Sequence, residues 1–259
     1  MLQVVFSIPA EKREGIAPLF FHINGLIRSC LDGHMGKAYG DHPFMPGAAL
    51  LCVGDFASFG GDPHRPAAHH LAGKLAMEPG KTWLMPVTEG WEEHLAFFHP
   101  KRLVKSVRYA VTRKAEFDKA KLLALTKAIP PEFTLHPIGR ALYEKAISQE
   151  WSRDFCSQFE SGEDYELRGL GVAALQGGEL VAGASSYVTY HGGIEIQTDT
   201  REDMRRRGLA AACCAQLILN CIQKGLTPSW DAANLASLHL AEKLGYVLGT
   251  PYDTWEVTF

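Results

Sequence analysis

Apolar positions change their spacing along this chain, and each change predicts an element. GAALLCVGDFASFGGDP (Gly47–Pro63) carries apolar runs closed by a Gly-Gly-Asp-Pro turn, as one or two strands would. Thr82–Met85 reads as a strand leading into a turn at VTEG, and WEEHLAFF has helical spacing. Val104–Lys114 alternates like a strand, and Phe117–Ile129 is an amphipathic helix stopped by Pro130-Pro131. Beyond the double proline the pattern sharpens. Phe133–Gly139 is a short strand and Arg140–Phe155 a helix. Ser161 stands as an N-cap, with Asp164 three residues on, for a helix to Gly169. Three strands follow, turning at Gly177-Gly178 and Gly192-Gly193. RRRGLAAACCAQLILNC opens a long apolar helix whose first turn is RRRGLA and which ends at Lys224-Gly225. Thr227–Ala232 is a strand, Asn234–Gly245 a helix, and Tyr246 onward strands again.

This predicts two domains, 1–130 and 131–259, divided at the double proline. The second has the order β-α-α-β-β-β-α-β-α-β-β. The first carries no nameable motif, but its strands around the GGDP turn, then strand, helix and strand, echo the second. A degenerate copy of the same fold is the expectation there.

Composition narrows the function classes. The chain has 259 residues, 46% hydrophobic and 21% charged, enough to bury a core without disulfides. A net charge of −3 gives no global basic field, so neither nucleic acid nor a membrane surface is an expected partner. None of the six cysteines forms a C-x-x-C pair, and Cys213, Cys214 and Cys221 fall in one apolar helix, the usage of a reducing compartment. With no signal-peptide pattern at the start and no apolar run of the roughly 18 residues a membrane helix needs, the cytoplasm is the expected location. His64, His69 and His70 have no carboxylate or cysteine at ligand spacing; a polar loop is expected there, and no metal.

The densest positive cluster, Arg205-Arg206-Arg207, stands at the mouth of the most apolar helix. A helix N-terminus offers unpaired amides and the positive end of the dipole. Gly208 lets a ligand approach the backbone, and arginines add charge and forked donors. Together they describe a cradle for a phosphate or diphosphate. A solvated surface cluster is the bland alternative.

Arg205-Arg206-Arg207-Gly208-Leu209-Ala210 resembles the Q/R-x-x-G-x-G/A motif of the GNAT N-acetyltransferase superfamily. Asn234-Leu235-Ala236-Ser237 through Leu240, Leu244, Gly245 and Tyr246 resembles its second signature, N-x-x-S/A-x-x-L-Y-x-x-L-G-F, and the element order from Phe133 matches as well. EWSRDF, GGIEIQTDT and PSWDAANLASLHLAEKLGY are similar to a bacterial subfamily grouped with zwittermicin A resistance acetyltransferases, which acetylate an aminopolyol antibiotic. The resemblance implies an α+β fold, a mixed, mostly antiparallel sheet with flanking helices. It implies acetyl-CoA as cofactor, with the diphosphate on the amides of Arg206 to Ala210 beside Arg205. Main-chain groups from Thr198 through Asp199 to Thr200 would pair with the pantetheine, in a slot where that strand and the one at Trp230 splay. Asn234, with Ser237 in the same motif, would contact the pantetheine arm; Asn234 as a simple N-cap stays open.

Transfer to an amine needs a proton acceptor. Glu195 lies on the strand before the phosphate turn, where alternation puts Glu195, Gln197 and Asp199 on one face and Ile194, Ile196 and Thr198 on the other. Asp231 is the second candidate base, and an exposed, idle Glu195 the alternative. The tyrosine that many members use as general acid is Ala241 here; His239, Tyr187 and Tyr190 are weak substitutes. Trp151 and Phe155, four residues apart, are either substrate contacts or core; Ser185 and Tyr187, in the polar run Ser185-Ser186-Tyr187, either present hydroxyls to a polyol or are satisfied inside. The function expected is acetyl transfer to an amine of a small molecule, an aminopolyol antibiotic or a metabolite, with a homodimer left open. A noncatalytic CoA-binding or regulatory protein is the alternative that Ala241 leaves open.

Overall fold

The computed structural model describes residues 5–75, 81–86, 89–98, 103–113 and 116–258. Lys114 of the expected strand, Val87 and Thr88 of the expected turn, and Met1 to Val4 lie outside the described residues. The chain divides into two compact units, Met1–Arg108 with Pro251–Phe259, and Tyr109–Thr250.

The first unit runs β1 (Phe6–Ile8), a 3-10 helix (Ala10–Leu19), α1 (Gly25–Leu31), β2 (Lys37–Gly40), β3 (Ala48–Val53), β4 (Phe56–Gly61), α2 (Ala68–Lys74), β5 (Lys81–Pro86), α3 (Trp91–Phe98) and the start of β6 (Leu103–Arg113). β1 to β4 form antiparallel neighbours in sequence order, and β4 then pairs in parallel with β5. The core gathers around Leu50, Phe59, Leu71, Leu84, Trp91 and Leu95, with the Phe59 and Trp91 rings 4.7 Å apart.

In the second unit, the end of β6 leads to α4 (Lys119–Lys127), β7 (Phe133–Pro137), α5 (Arg140–Ile147), a 3-10 turn (Arg153–Phe155), α6 (Gly162–Arg168), β8 (Gly171–Gln176), β9 (Glu179–Tyr190), β10 (Gly193–Thr200), a 3-10 turn (Glu202–Met204) and α7 (Leu209–Lys224). Then come β11 (Thr227–Ser229), β12 (Asp231–Ala232), α8 (Leu235–Leu244) and β13 (Tyr246–Thr258). Its five-stranded sheet has the order β11-β10-β9-β8-β7, antiparallel except for the parallel pair β10 and β11. One core order therefore occurs twice: strand, helical segments, three antiparallel strands, helix, parallel strand, helix and closing strand, to which the second unit adds α4, β12 and two 3-10 turns. This is the α+β architecture expected, in two copies.

Local chemistry explains the boundaries. Asp118, Ser161 and Asn234 cap helices by accepting from the amides of Lys121, Asp164 and Ser237. Gly225 and Gly245 end α7 and α8 with φ of 70° and 112°, a region closed to most side chains.

Four expectations change. The compact units part inside β6 and inside β13, between Thr250 and Pro251, whereas the expected division was at Pro130-Pro131. Leu122 of α4 is fully buried in the second unit's core, while Trp255 and Val257 near the chain's end pair with β5. The helix expected over Arg140–Phe155 stops at Ile147, and Phe155 belongs to a separate turn. The second hairpin turns at His191-Gly192, because Gly193 is already paired with Tyr190. Thr227–Ala232 is two strands in different ladders: Ser229 pairs with Glu195, and Asp231 with Ala110.

Candidate functional site: a forked strand pair beneath an arginine loop

The break at Trp230 makes a fork. β10 and β11 share three rungs, Gly193 with Thr227, Ile194 with Pro228 and Glu195 with Ser229. Beyond Ser229 the chain leaves to pair with β6, while β10 continues beside β9 to Thr200. Past Glu195, no strand among the described residues pairs with the edge of β10 that faces away from β9. A register shift opposite Glu195 and Ile196 leaves Tyr187 as an extra residue on β9, a bulge of the kind that re-aims a side chain.

The arginine loop lies at the far end of β10. Hydrogen bonding of α7 to its cap begins with the amide of Ala212 on the Gly208 carbonyl, and no side chain caps the helix. The amides of Leu209, Ala210 and Ala211 thus precede the ladder. Arg205 to Gly208 are exposed, and a Cβ on Gly208 would meet open space. Gly208 is required for its φ of 81°, and Arg206 takes φ of 66°, an uncommon conformation for a residue with a side chain. These two left-handed residues turn the exposed backbone at the positive end of α7.

The predicted pantetheine edge is narrower than expected. Thr198 Oγ1 donates to the Gly183 carbonyl at 2.8 Å, and the Thr200 amide donates to Asp199 Oδ1 at 2.6 Å. The Thr200 carbonyl accepts from Arg205 Nε at 3.2 Å. Both main-chain groups of Thr200 are therefore engaged, which moves the open edge back toward Gln197 and Thr198. Arg205 Nη2 also stands 3.8 Å from Asp199 Oδ1. Desolvation raises the Asp199 pKa, against the Thr200 amide and Arg205, which lower it; Asp154 adds to the rise.

Glu195 is 6% exposed, so it is not the idle surface residue of the alternative reading. Ile194 and Ile196 enter the core with Leu209, Cys213 and Leu217 of α7. By alternation Glu195 projects to the other face, the one covered by Phe155 and Tyr165. Asp231 is half-buried on the other arm of the fork, two residues past Ser229. Among the predicted bases, then, the fork separates the two candidates, one to each arm.

Several predicted contacts are bonded within the protein. Ser185 is fully buried, its Oγ 2.6 Å from the Tyr165 hydroxyl, and Ser186 Oγ accepts from the Leu170 amide at 2.9 Å. Phe155 is fully buried against Gly183, where a Cβ would lie 2.6 Å from its ring. These two are core, because the sheet face they cover has only small residues at Gly171 and Gly183. Trp151 is half-buried, edge-on to Phe155 at 5.8 Å, and donates to Gln149 Oε1 at 2.9 Å. Tyr187 accepts from Gln158 Nε2 at 3.4 Å. Asn234 Oδ1 accepts from the Ser237 amide at 3.0 Å, so it is an N-cap whose exposed amide nitrogen is left for other partners. Ser237 Oγ accepts from Trp230 Nε1 at 3.2 Å, tying the fork to α8. Ala241 is fully buried, and His239 is exposed on the same helix. Sequence reading missed Ser229, whose signal was the register across the fork rather than any motif.

Burial pushes the thiols of Cys156, Cys214 and Cys221 up to about 12, which leaves them protonated and poor nucleophiles. Among the described residues, no group of three His, Cys, Asp or Glu is gathered as for a metal, and no helix is long and apolar enough to cross a membrane.

The equivalent turn of the first unit, between β4 and α2, is built differently. Asp62 to Ala67 contains Pro63 and Pro66, which lack amide protons. The amides of His64, Arg65 and Ala68 are bonded within the turn, to Asp62 Oδ1, the Asp62 carbonyl and the Arg65 carbonyl. His69 and His70, expected in a loop, lie on α2 because Ala68, Leu71 and Ala72 form its buried face. The His69 ring packs 4.4 Å from Phe98, and His94 Nε2 donates to the Pro63 carbonyl at 2.7 Å. This turn presents no open row of amides comparable to that at α7.

Comparison with known proteins agrees with this geometry. A family model described as GNAT acetyltransferase matches residues 17–255. The chain is 40% identical to a GCN5-related N-acetyltransferase-like protein from Streptococcus suis 89/1591, with 96% of this chain and 99% of that one covered and a TM-score of 0.88. It is 33% identical over 148 residues to the uncharacterized N-acetyltransferase YdfB of Bacillus subtilis (strain 168), a match spanning 55% of this chain and 56% of that relative. A tandem GNAT protein from the clavulanic acid biosynthesis pathway shares the fold over 98% of both chains, at 12% identity and a TM-score of 0.57.

Proposed function

This chain belongs to the GNAT acetyltransferase family, and from that premise we propose that it moves an acetyl group from acetyl-CoA to an amine of a small molecule. The observation that carries the reading is the fork: a buried carboxylate, Glu195, stands at its last rung, and an exposed row of helix amides lies at the end of the same strand. The residues fit the cofactor by shape and charge. The amides from Arg206 to Ala210, with Arg205 and Arg207 beside them, would hold its diphosphate. The open edge near Gln197 and Thr198 would take amide bonds from its arm, and the Asn234 side-chain nitrogen would reach it from α8. When bound, acetyl-CoA supplies an activated thioester.

The chain's own residues then have three tasks. Glu195 would take a proton from the acceptor's ammonium group, directly or through water, leaving a neutral, nucleophilic amine. The β10 edge would hold the arm of the cofactor beside that amine. The fork's two arms would keep water from it. Ala241 offers no proton, so a tyrosine hydroxyl or solvent would serve as the acid. The acceptor class we put forward is an amine on a polyol or small metabolite, met by Tyr187 and Trp151; Ser185 and Phe155 are not part of that surface. We read the first unit as a degenerate copy without a cofactor site, in view of its two prolines and internally bonded turn. No nucleic acid or membrane partner enters this reading.

Thiol release from acetyl-CoA across a panel of amines tests it, alongside calorimetry of CoA binding. Turnover on at least one amine is expected. Tight CoA binding with no turnover would favour the second reading, a noncatalytic CoA-binding protein, for which the buried Ala241 is the specific observation.

A further inference from the structure

Trp230 is the single residue between β11 and β12, at the point where the fork opens. Its ring is 5% exposed, packed in the core with Leu238 and Ala241 of α8 and 5.7 Å from the Tyr246 ring. A buried indole N–H needs an acceptor, and it only donates. This one finds its acceptor on α8, where Ser237 Oγ receives it at 3.2 Å. Just past Gly245, which ends α8, the Tyr246 hydroxyl donates to the Pro228 carbonyl at 2.8 Å. Both ends of α8 are thus fastened to the segment where β11 leaves β10.

Ser237 carries a second bond. Its amide donates to Asn234 Oδ1 at 3.0 Å, which is the cap of α8. One residue therefore links the fork to the cap: indole to hydroxyl, then amide to carboxamide. With Oδ1 committed to the cap, the Asn234 side-chain nitrogen stands wherever the first turn of α8 is held. Ala233 to Ala236 are exposed, and Leu238 is the first buried residue of the helix, so packing does little for that turn. The arm of the fork has separate support. The Tyr190 hydroxyl, whose ring crosses β10 where Gly193 leaves room, donates to the Thr227 carbonyl at 3.3 Å and lies 2.6 Å from Ser229 Oγ. Loss of the Trp230 bond therefore releases the first turn of α8 and leaves β11 in place.

We propose that Trp230 is a positioning residue of the cofactor slot: through Ser237, its indole N–H holds the cap of α8 so that Asn234 stands ready for the pantetheine arm. The proposal rests on the reading of the fork as the acetyl-CoA site. Trp230 itself stays in the core and acts only through Ser237 and Asn234. A turn ordered before the ligand arrives lowers the cost of binding, so the tie contributes affinity without touching the ligand. A phenylalanine keeps an aromatic ring in the core and cannot donate.

The test is calorimetry of the full chain with two ligands: CoA, and its nucleotide half 3′-phospho-ADP, which has the diphosphate and no pantetheine arm. Trp230→Phe and Ser237→Ala should each weaken CoA binding by about 5-fold to 10-fold, the net worth of one hydrogen bond, while affinity for the nucleotide half stays near wild type. The double variant should bind no more weakly than the weaker of the two single variants, and Ser237→Thr, which keeps an acceptor oxygen, should bind like wild type. In the ligand-free chain, the Ser237 amide should exchange with solvent faster in Trp230→Phe. Ser237→Ala, at a half-buried position, carries the test if Trp230→Phe does not fold. Unchanged CoA affinity in the folded single variants, or an equal loss for both ligands, would overturn the proposal. A chain that shows the arm-specific loss but acetylates no amine defeats the transferase reading and leaves the Trp230 tie standing; unchanged affinities in a chain that does turn over defeat the tie alone.

Discussion

Glu195 and Ser229 form the final rung between β10 and β11, and the strands part immediately beyond it. This rung fixes where a slot can open, because the edge of β10 past Glu195 keeps its peptide groups but has lost its neighbour. It also fixes what stands at the slot's mouth: one carboxylate, two hydroxyls and, across the bulge, Tyr187. β10 ends five residues past Glu195, at Thr200, roughly 17 Å of extended strand away, and the arginine loop follows it. A ligand held at both places is long and thin, with an anionic group at one end and a reactive group at the other.

Glu195→Gln should lower kcat by about 100-fold to 10,000-fold, the range for losing a general base, while CoA affinity stays near wild type. The amide keeps the shape and removes the proton acceptor. Asp231→Asn, on the other arm, should cost much less. Steady-state thiol release and calorimetry on both variants decide between them, and the reverse order of effects would transfer the role to Asp231.

Gly208→Asp should abolish measurable CoA binding. The new Cβ would enter open space, so steric overlap is not the cause. Two other effects are: a side chain forced to φ of 81°, and a carboxylate at the mouth of the amide row. Gly208→Asn separates them, since asparagine has the same shape, tolerates this backbone region and carries no charge. Affinity should fall far less in the asparagine variant. Equal affinities in two folded variants would remove the diphosphate from this loop.

Much of the second unit was legible because its helices announce both ends: Ser161 and Asn234 cap, Gly225 and Gly245 terminate, and the apolar run between Leu209 and Cys221 leaves no other reading. What was not legible depends on partners distant in sequence. The helical pattern continues past Ile147, but Phe155 must drop onto Gly183, and the helix breaks to allow it. Thr227–Ala232 reads as one strand because nothing in six residues records that Ser229 and Asp231 have different neighbours. The repeated topology was only an echo in sequence, since the first unit's turn carries Pro63, Arg65 and Pro66 where the second carries three arginines and Gly208. The loop and the helix caps could be named from the sequence; the register of Ser229 with Glu195 could not.

Tyr165 and Ser185 should behave as a coupled structural pair. Their hydroxyls are 2.6 Å apart, and both residues are buried. Tyr165→Phe or Ser185→Ala removes one side of this bond, at a cost of about 1–3 kcal/mol, with the Tyr165 hydroxyl keeping Cys156 as a partner in Ser185→Ala. The double variant should cost less than the sum, because the bond between the two hydroxyls can be lost only once. Urea denaturation of the four proteins measures this. Additive effects, or a Ser185→Ala variant of full stability with a raised acceptor KM, would return Ser185 to the substrate surface.

Asp199→Asn should stabilise the protein near neutral pH, and the gain should shrink on acidification. Desolvation raises the folded-state pKa of Asp199 above its ordinary value of 3.8, so the folded chain binds this proton more tightly than the unfolded chain does. Above the unfolded pKa the ionised carboxylate therefore opposes folding. That penalty is relieved as pH falls through the raised folded value, and it is gone below the unfolded one. Asparagine keeps an oxygen for the Thr200 amide and has no charge to desolvate. Melting temperatures of the two proteins from about pH 7 to about pH 3 should therefore converge at the acid end, with the variant higher at the neutral end. The contact with Arg205 pulls the other way, but at 3.8 Å it is too long for a hydrogen bond and lies at a partly exposed side chain. A variant less stable than wild type at neutral pH would mean that this ion pair outweighs the cost of burying the carboxylate.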